Sequence, residues 1–283
     1  MGTAGNTAAV SVTGSPNEAY TGGLIGFASQ RLLLDHTAAE AYDNRGKLTV
    51  EGGTGVYTGG IVSNQAYAAS AGEAPTNVVS TGDISVNGQT NLYTGGYIGR
   101  VDGSQFADTA IDGAVFAHEI QVTADGSGAE SGVFTGGIIG AYHNGTTISN
   151  TSFTGRMKVH GKAGAYTGGI AGYLDGGTIT KATAGNTSAN FASITADGTL
   201  GGVAGHANGT ITDVQVRHLA LQASPRSVAG GVAGRAEGVI SKAVVGAADH
   251  EASSSVTFAA ELDEAAVAPA DGRMISLPGG LSV

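Results

Sequence analysis

The side chains of this sequence that could bind a metal or carry out catalysis are widely spaced. A protein zinc site needs three or four histidine, cysteine or carboxylate ligands, which usually come in pairs a few residues apart. The chain contains no cysteine, which also removes disulfides and cysteine nucleophiles. Its histidines stand singly, as His36, His118, His143, His160, His206, His218 and His250. We therefore predict no metal site and no cofactor, and expect the histidines to be solvent-facing polar residues.

Acidic side chains near basic ones form a second set of candidates. Cleavage of a polysaccharide needs carboxylates that converge with lysine, arginine or a metal in one place. Most of the acidic residues that qualify stand beside glycines, where aspartate is favoured for the turn itself. The set comprises Asp175, Asp197 and Asp213, with Lys181 and Arg217. We predict that none of them is catalytic and that the protein is not an enzyme.

Threonine and tyrosine recur more regularly, and they are the candidate ligand-facing residues. Two Thr-x-Thr pairs are formed by Thr178 and Thr180 and by Thr210 and Thr212. Flat outward arrays of such pairs resemble the surfaces of ice-binding β-helices. The aromatic positions are Tyr20, Tyr57, Tyr93 and Tyr166, with Phe134 in the same place. If exposed, they would form a stripe that binds sugars or a protein. We favour the alternative that they pack against one another within the fold.

The aromatic residues belong to a phrase that returns seven times, aromatic-Thr-Gly-Gly-apolar-apolar-Gly. The last two copies keep the glycines and lose the aromatic residue. The first glycines of the pairs are separated by 37, 36, 41, 32, 33 and 29 residues, and they are Gly22, Gly59, Gly95, Gly136, Gly168, Gly201 and Gly230. A period in this range, held over most of the chain, predicts a stacked repeat architecture.

Short β-branched segments between the phrases predict the strands of each repeat. They lie at 9–13, 47–51, 147–149, 156–160, 178–180, 192–195, 210–212, 217–221, 239–241 and 256–258. Glycines beside a polar residue, as in Asp175-Gly176, predict a left-handed turn that redirects the chain at a corner. One helical turn is expected between residues 31 and 42. The sequence thus predicts an all-β chain, a right-handed parallel β-helix of about seven coils with three short strands per coil, about 34 Å long.

The repeats also predict which side chains face the core. Ile148, Ile179, Ile211 and Ile240 have the same phase and should form one inward ladder, with the Thr-x-Thr side chains outside. Two adjacent glycines indicate a bend or a close contact that excludes a Cβ, and we expect the aromatic side chain to cover the vacated space. Of the two columns that follow the glycines, we favour as inward the one comprising Ile25, Val62, Ile98, Ile139, Ala171, Ala204 and Ala233 over Leu24, Ile61, Tyr97, Ile138, Ile170, Val203 and Val232.

The composition limits the classes of partner and distinguishes the C-terminal segment from the β-helix. The net charge of −10 and the lack of basic runs argue against nucleic acid, and no apolar stretch is long enough to span a membrane. We assign residues 1–246 to the β-helix and 247–283 to an acidic C-terminal capping segment or tail, in which Pro278 and Gly279-Gly280 have the composition of a loop. The lack of cysteine and the glycine-rich repeats favour a bacterial surface or secreted protein.

The segment 168–182, Gly-Gly-Ile-Ala-Gly-Tyr-Leu-Asp-Gly-Gly-Thr-Ile-Thr-Lys-Ala, resembles the GLUG motif. This glycine-rich repeat occurs in bacterial surface proteins, including adhesins and the N-terminal regions of IgA-specific metalloendopeptidases. Residues 136–150 and 201–214 match it about as well, whereas 20–100 fit only in the first strand. The resemblance implies an extracellular β-helical module without catalysis, and the peptidase motif His-Glu-x-x-His does not occur here.

The sequence favours a non-catalytic structural or adhesive β-helical module on the bacterial cell surface or in the secreted fraction. Its partner would be a host macromolecule, a glycan or a neighbouring protein chain, and the module would form part of a longer polypeptide. Two alternatives remain open. One is a carbohydrate-active β-helix enzyme of lyase or hydrolase type, which requires several charged side chains in one groove. The other is ice binding through the Thr-x-Thr pairs.

Overall fold

The computed structural model describes residues 5–14, 17–31, 42–67, 78–102, 110–125, 132–143, 147–161, 164–186, 192–225, 227–246 and 255–258. Its regular elements in these ranges are all strands. Most strands are short because glycine or a polar turn residue interrupts the β-branched segments. The predicted helical turn lies mainly in 32–41, outside the described residues.

The first half of the chain forms β1 (Gly5–Asn6), β2 (Val10–Val12), β3 (Ala19–Gly22), β4 (Ile25–Arg31), β5 (Tyr42–Asn44), β6 (Leu48–Glu51), β7 (Thr54–Gly59), β8 (Val62–Tyr67), β9 (Val78–Ser80), β10 (Ile84–Gly88), β11 (Thr90–Gly95), β12 (Ile98–Asp102), β13 (Ala110–Asp112), β14 (Ala114–Phe116), β15 (Glu119–Ala124) and β16 (Val133–Gly136). The second half forms β17 (Ile139–His143), β18 (Thr147–Ser149), β19 (Ser152–Phe153), β20 (Arg156–His160), β21 (Ala165–Gly168), β22 (Ala171–Thr180), β23 (Thr183–Gly185), β24 (Ala192–Ala196), β25 (Thr199–Gly201), β26 (Ala204–Arg217), β27 (Leu219–Ala223), β28 (Val228–Gly230), β29 (Ala233–Ala236), β30 (Val239–Val245) and β31 (Ser255–Phe258).

These strands form three parallel sheets that run along one rod. Sheet C stacks the strands of the glycine phrases in the order β28-β25-β21-β16-β11-β7-β3. Sheet B stacks β2-β6-β10-β15-β20-β24-β27-β31, and the 16-stranded sheet A contains the others. Each coil passes from sheet C through sheet A to sheet B, and then returns to sheet C one coil further along. The predicted parallel β-helix with about seven coils is confirmed.

Equivalent residues of the repeats lie beside one another in the sheets. Tyr20 pairs with Tyr57, Tyr57 with Tyr93, and the same register continues through Phe134 and Tyr166. The isoleucine ladder is also confirmed, since Ile148 pairs with Ile179, Ile179 with Ile211 and Ile211 with Ile240. Ile111 extends this ladder by one coil at the other end. The first three predicted isoleucines are fully buried, whereas Ile240, in the last coil, is 40% exposed.

The predicted strands are found, with differences of a few residues at their ends. The segment 156–160 matches β20, whereas 217–221 is displaced to Leu219–Ala223. The segments 178–180 and 210–212 are parts of the longer strands Ala171–Thr180 and Ala204–Arg217. The prediction lacked one series of short strands that precedes sheet B, including β14, β19 and β23. Two or three residues, some of them glycine or alanine, carry too little periodicity to indicate a strand.

The predicted corner beside Asp175 is wrong. Gly176 and Gly177 have the left-handed backbone that was expected, with φ of 77° and 78°. However, β22 continues from Ala171 to Thr180 in one sheet, and its pairing with β26 only shifts register at this point. The extra residues therefore form an irregularity within sheet A. A recurrent left-handed residue follows each isoleucine strand instead, at Gly113, Asn150, Lys181, Asp213 and Lys242.

The two glycines of each pair are required for two different contacts. At the first one the chain folds back on itself, so that a Cβ on Gly136 would lie 2.0 Å from the carbonyl oxygen of Ile139. The second one points into the coil. A Cβ on Gly137 would lie 2.1 Å from the carbonyl oxygen of Gly169 and 2.4 Å from the ring of Phe153. The pair therefore forms the arc between sheets C and A. Because the glycines have no side chains, the backbone of the next coil and a ring from inside the coil can pack directly against the arc.

Two expectations about this arc are corrected. The space beside the second glycine is filled from inside the coil, by Phe116 and Phe153 in the middle of the rod, and not by the aromatic residue of the phrase. The choice between the two apolar columns was unnecessary, because both are buried in the central coils. Ile138 and Ile139, for example, are each 0% exposed. The tight arc places consecutive side chains against the core, where a straight strand would alternate them.

The close contact at the second glycine predicts a large effect of one methyl group. Gly137→Ala should lower the free energy of unfolding by about 3 kcal/mol, since backbone atoms of the next coil must move to make room. The measurement is urea denaturation followed by far-ultraviolet circular dichroism. Gly161→Ala is the matched control, because its Cβ would meet its nearest neighbours at 3.4 Å, an ordinary contact. Equal denaturation midpoints for the two variants would contradict the close-contact account.

Candidate functional site

The aromatic residues of the glycine phrases form a continuous stack on sheet C. The ring centroids of Tyr20 and Tyr57 are 4.8 Å apart, those of Tyr57 and Tyr93 are 4.9 Å apart, and the planes differ by 5° and 2°. Phe134 continues the stack at 4.9 Å from Tyr93, and Tyr166 follows at 5.8 Å. We call these five residues the aromatic ladder. Its spacing is that of neighbouring strands, so the rings stack because the backbone ladder is in register.

The ladder lies on the outer face of sheet C, and its rings cover one another. Its residues are half-buried, whereas their neighbours in each strand, such as Val56 and Thr58, are buried. Because each ring lies against the next, the ring faces inside the ladder are covered and the edges face outward. The structure thus combines the two arrangements that the sequence left open, packing within a ladder and a position on the outside.

A second column of side chains runs beside the ladder on sheet A. Its members are in register from coil to coil, and they are Phe27, Asn64, Arg100, Ala141, Tyr173, His206 and Arg235. We call this column the flank. The last residue of each phrase, a glycine in six of the seven copies, brings it close, because a Cβ on Gly140 would lie 2.7 Å from the backbone nitrogen of Thr94. Ladder and flank therefore form one strip that follows the rod.

Arg100 joins the flank to the middle of the ladder. Its guanidinium carbon lies 5.0 Å from the ring centroid of Tyr93 and 6.0 Å from that of Tyr57. Its Nη1 donates to the hydroxyl of Tyr57 at 3.5 Å. A guanidinium within about 6 Å of an aromatic ring is attracted by the electrons of the ring. Arg100 thus places a positive charge on the strip of an acidic chain.

Tyr173 and His206 close the strip at the end of the ladder. Their rings stack at 4.7 Å with planes 9° apart, and both meet Tyr166 edge-on, at 5.5 Å and 5.6 Å. Polar groups lie beside them. Asp175 approaches Nδ1 of His143 at 3.3 Å, and it accepts a hydrogen bond of 3.0 Å from Nδ2 of Asn208. This end of the strip therefore presents both aromatic and hydrogen-bonding groups.

Burial raises the pKa of two phenols of the strip. It raises the pKa of Tyr20, with a further contribution from the charge of Glu18. It also raises the pKa of Tyr173, where Asp175 adds to the effect. A neutral phenol both donates and accepts a hydrogen bond. Tyr20 and Tyr173 thus offer hydroxyl groups at neutral pH.

His206 is the most enclosed titratable group of the strip, so the expectation that the histidines face solvent is wrong at this position. It is 5% exposed, and its Nδ1 has no hydrogen-bond partner among the described residues. Burial lowers the pKa of His206, and the nearby charge of Glu237 partly opposes this effect. The imidazole is therefore neutral in the folded protein at neutral pH, and it acts mainly as an aromatic surface for Tyr173.

The Thr-x-Thr side chains lie on sheet A, away from the buried isoleucines. Thr178 pairs with Thr210 and Thr180 with Thr212, and all four are partly exposed. The next coil changes the pattern, because Thr212 accepts a hydrogen bond of 2.9 Å from Ser241. In the preceding coils the equivalent residues include Ser149 and Asp112, which are hydrogen-bonded to each other at 2.7 Å. The threonine array is thus two coils high.

The acidic candidates lie in different places. Asp175 lies beside the strip, whereas Asp197 accepts hydrogen bonds from the backbone nitrogen of Gly161 and the hydroxyl of Ser224 at the passage from sheet B to sheet C. Asp213 and Lys181 occupy the left-handed positions after the isoleucine strands. Across the described part of the chain, no three histidine, aspartate or glutamate side chains gather closely enough to hold a metal ion. The same residues include no apolar helix of membrane-spanning length.

Comparison with protein-family models gives no match, and comparisons with curated proteins and with solved structures give none either. The resemblance to the GLUG motif accordingly remains a prediction.

Sequence reasoning found the ladder but not the flank. Arg100, Tyr173 and His206 are chemically unlike one another, so no single residue type recurs at the position that they share in the repeat. Each stands directly after the last glycine position of a phrase. Once the arc between sheets C and A is known, a residue at this position of the phrase must lie beside the ladder. The position within the phrase is therefore the sequence signal from which the flank could have been predicted.

The stacking predicts that the ring of Tyr93 contributes to stability. Tyr93→Ala should lower the free energy of unfolding by about 2–3 kcal/mol, through the loss of two stacked pairs and the contact with Arg100. Tyr93→Phe keeps the ring and should retain most of that stability. Both are measured by urea denaturation. If Phe were as destabilising as Ala, stacking would not be the source of the effect.

The lowered pKa of His206 predicts a pH dependence of stability. An unfolded histidine titrates near pH 6.5, whereas the folded protein resists protonation of His206 until a lower pH. Below about pH 6.5 the unfolded state therefore binds more protons, and the free energy of unfolding falls as the pH decreases toward the folded pKa. His206→Gln should remove this part of the decrease.

The measurement is a series of urea denaturations between about pH 7.5 and pH 5. His160→Gln, on the exposed outer side of sheet B, serves as the control and should retain the decrease of the wild type. Parallel pH curves for wild type and His206→Gln would refute the role assigned to His206.

Proposed function

We propose that this chain is a non-catalytic structural and adhesive module that binds an extended partner along the strip of ladder and flank. The single observation that carries the proposal is the continuity of this strip over the coils from Tyr20 to Tyr173. A rod with one regular outer strip suits a ligand that is itself long, because equivalent groups recur at each coil. Binding groups placed on a rigid scaffold lose little freedom when the partner arrives.

The chemistry of the strip favours a polar polymer, and we propose a glycan as its ligand. Stacking of a sugar needs an exposed ring face, and the faces inside the ladder are covered by the next ring. The strip presents ring edges and the guanidinium of Arg100, and the hydrogen-bonded polar side chains of Asp175 and Asn208 lie beside it. Sugars carry hydroxyl groups along their length, which such groups can bind. A host macromolecule with glycan chains, or a neighbouring protein chain, would present comparable polar groups.

The proposed setting is the bacterial cell surface or the secreted fraction, as part of a longer polypeptide. Its support is the resemblance of residues 130–245 to GLUG repeats and the cysteine-free, glycine-rich composition. The net charge of −10 disfavours nucleic acid as the partner. Loops that leave the rigid coils would add specificity to the strip.

The test is a screen of the chain against a glycan array and immobilised extracellular-matrix proteins, followed by affinity measurements with variants. Arg100→Ala combined with Tyr173→Ala should weaken binding to the selected ligand at least about tenfold, since aromatic and arginine residues dominate such contacts. Thr178→Ala combined with Thr210→Ala is the matched control on another face and should change the affinity less than about twofold. Far-ultraviolet circular dichroism confirms folding.

Absence of binding in the whole screen would contradict the proposal. So would a loss confined to the threonine variant, which would move the binding face to sheet A. Thermal hysteresis of the wild type, if abolished in the threonine variant, would favour ice binding instead.

A further inference from the structure

The first ring of the aromatic ladder is stacked on a single face. Tyr57, Tyr93 and Phe134 each have a nearly parallel ring on both sides. Tyr20 has Tyr57 on one side, at 4.8 Å with planes 5° apart. Its strand β3 is the last strand of sheet C at this end of the described chain, and no described ring lies parallel to the other face of Tyr20. Tyr20 therefore has a ring face that the inner members of the ladder lack.

The side chains of the flank show how the space beside that face is arranged. Besides the ladder ring of its own coil, Arg100 contacts a ring of the preceding coil, since its guanidinium carbon lies 6.0 Å from the ring centroid of Tyr57. Tyr173 likewise meets Phe134, one coil earlier, with ring centroids 5.4 Å apart. A flank side chain thus reaches toward the coil that precedes its own.

Phe27 has this flank position in the first coil of the ladder. It is in register with Asn64 of the next coil, and its ring centroid lies 5.0 Å from that of Tyr20, with planes 58° apart. No ladder ring precedes Tyr20 among the described residues, so Phe27 meets no second ring there. Phe27 is 49% exposed, and it is the one aromatic residue among the exposed large hydrophobic side chains of the described chain. Tyr20 and Phe27 thus form an open corner of two rings, which we call the terminal corner.

The inner coils show what such a corner accepts. Phe134 stacks on Tyr166 with planes 8° apart and meets Tyr173 edge-on with planes 75° apart. Tyr166 and Tyr173 are themselves inclined at 70°, comparable to the 58° of the terminal corner. A ring placed on Tyr20 as Phe134 is placed on Tyr166 would lie about 4.8 Å away, at the strand spacing, with its edge toward Phe27. The terminal corner therefore fits one flat six-membered ring.

The surroundings of the corner favour a hydroxylated ring without a negative charge. Asn17 and Glu18 are exposed polar residues directly before β3. Burial raises the pKa of Tyr20 and the charge of Glu18 adds to the effect, so this carboxylate acts on the phenol. The face of a pyranose ring carries C–H groups that suit the negative face of an aromatic ring, and its edge carries hydroxyl groups that carboxylates, amides and phenols can bind. The Glu18 carboxylate and the net charge of −10 disfavour an acidic sugar.

We propose that the terminal corner binds the end of a glycan chain, a neutral hexopyranose ring that stacks on Tyr20 and turns its edge toward Phe27. The site deepens the proposed function, on which it rests for the class of ligand, because it lies at one end of the same strip. The first sugar is held by stacking, and the following sugars contact ring edges and Arg100 along the strip.

The test uses single sugars, which can occupy the corner without the rest of the strip. Methyl β-D-glucopyranoside and methyl β-D-galactopyranoside are titrated into the full chain with isotopically labelled phenylalanine and tyrosine rings, and the ring signals are followed by nuclear magnetic resonance. We expect saturable shifts of the Tyr20 and Phe27 signals with at least one of the two glycosides. The dissociation constant should be on the order of 1 mM, which suits a ligand of this size.

Variants of Phe27 assign the binding to the corner. Phe27→Ala should weaken glycoside binding at least about fivefold, whereas Phe27→Tyr keeps the ring and should bind within about twofold of the wild type. Thr178→Ala combined with Thr210→Ala is the control on sheet A and should leave the affinity within about twofold.

The outcomes separate the terminal corner from the strip. Equal affinities of the wild type and Phe27→Ala, or no shift of the Tyr20 and Phe27 signals with either glycoside, would overturn the corner even if the glycan screen finds a ligand for the strip. Shifts at the corner without any ligand in the screen would support the corner and contradict binding along the strip. Self-association of the wild type in sedimentation velocity that Phe27→Ala abolishes would also overturn the proposal, because a second copy would then cover the corner.

Discussion

The structure depends on the short distance between the arc of each glycine phrase and the wall of the coil opposite it. At Gly96 and Gly137 this distance leaves no room for a Cβ, because a carbonyl oxygen of the next coil and the ring of Phe116 or Phe153 occupy the space. The arc folds sheet C back beside sheet A, and the parallel register then repeats the contact from coil to coil. The outer surface follows from the same constraint, since the tight arc places the flank next to the ladder.

Much of this fold could be predicted from the sequence because each coil of a repeat architecture makes the same contacts, and the residue types that make them recur along the chain. The spacing of the glycine pairs and the phase of Ile148 and Ile179 indicated stacked coils and an inward ladder. The corner expected at Gly176 was wrong, since a left-handed glycine specifies a local backbone conformation and not whether the strand changes sheet. The short strands before sheet B were missed because two or three residues carry too little pattern.

The candidate site was only half visible for a related reason. The ladder repeats one residue type, so its period is evident in the sequence. The flank contains Arg100, Tyr173 and His206, which share only their position in the repeat. That position indicates a place beside the ladder only when the arc is known. Their proximity to the ladder comes from backbone packing at glycines such as Gly140. Unlike side chains on a regular scaffold thus give little periodic signal in the sequence, whereas the residues that build the scaffold give a strong one.

The central claim is that equivalent positions of successive coils touch in solution along a single axis. The most direct measurement is nuclear Overhauser spectroscopy on protein with isotopically labelled tyrosine and phenylalanine rings, which detects close ring pairs. The account predicts a chain of contacts from Tyr20 to Tyr57, to Tyr93, to Phe134 and to Tyr166, each between neighbouring coils only. Rings that lack contacts with the next coil, or that contact residues two coils away, would contradict the stacked arrangement on which the strip depends.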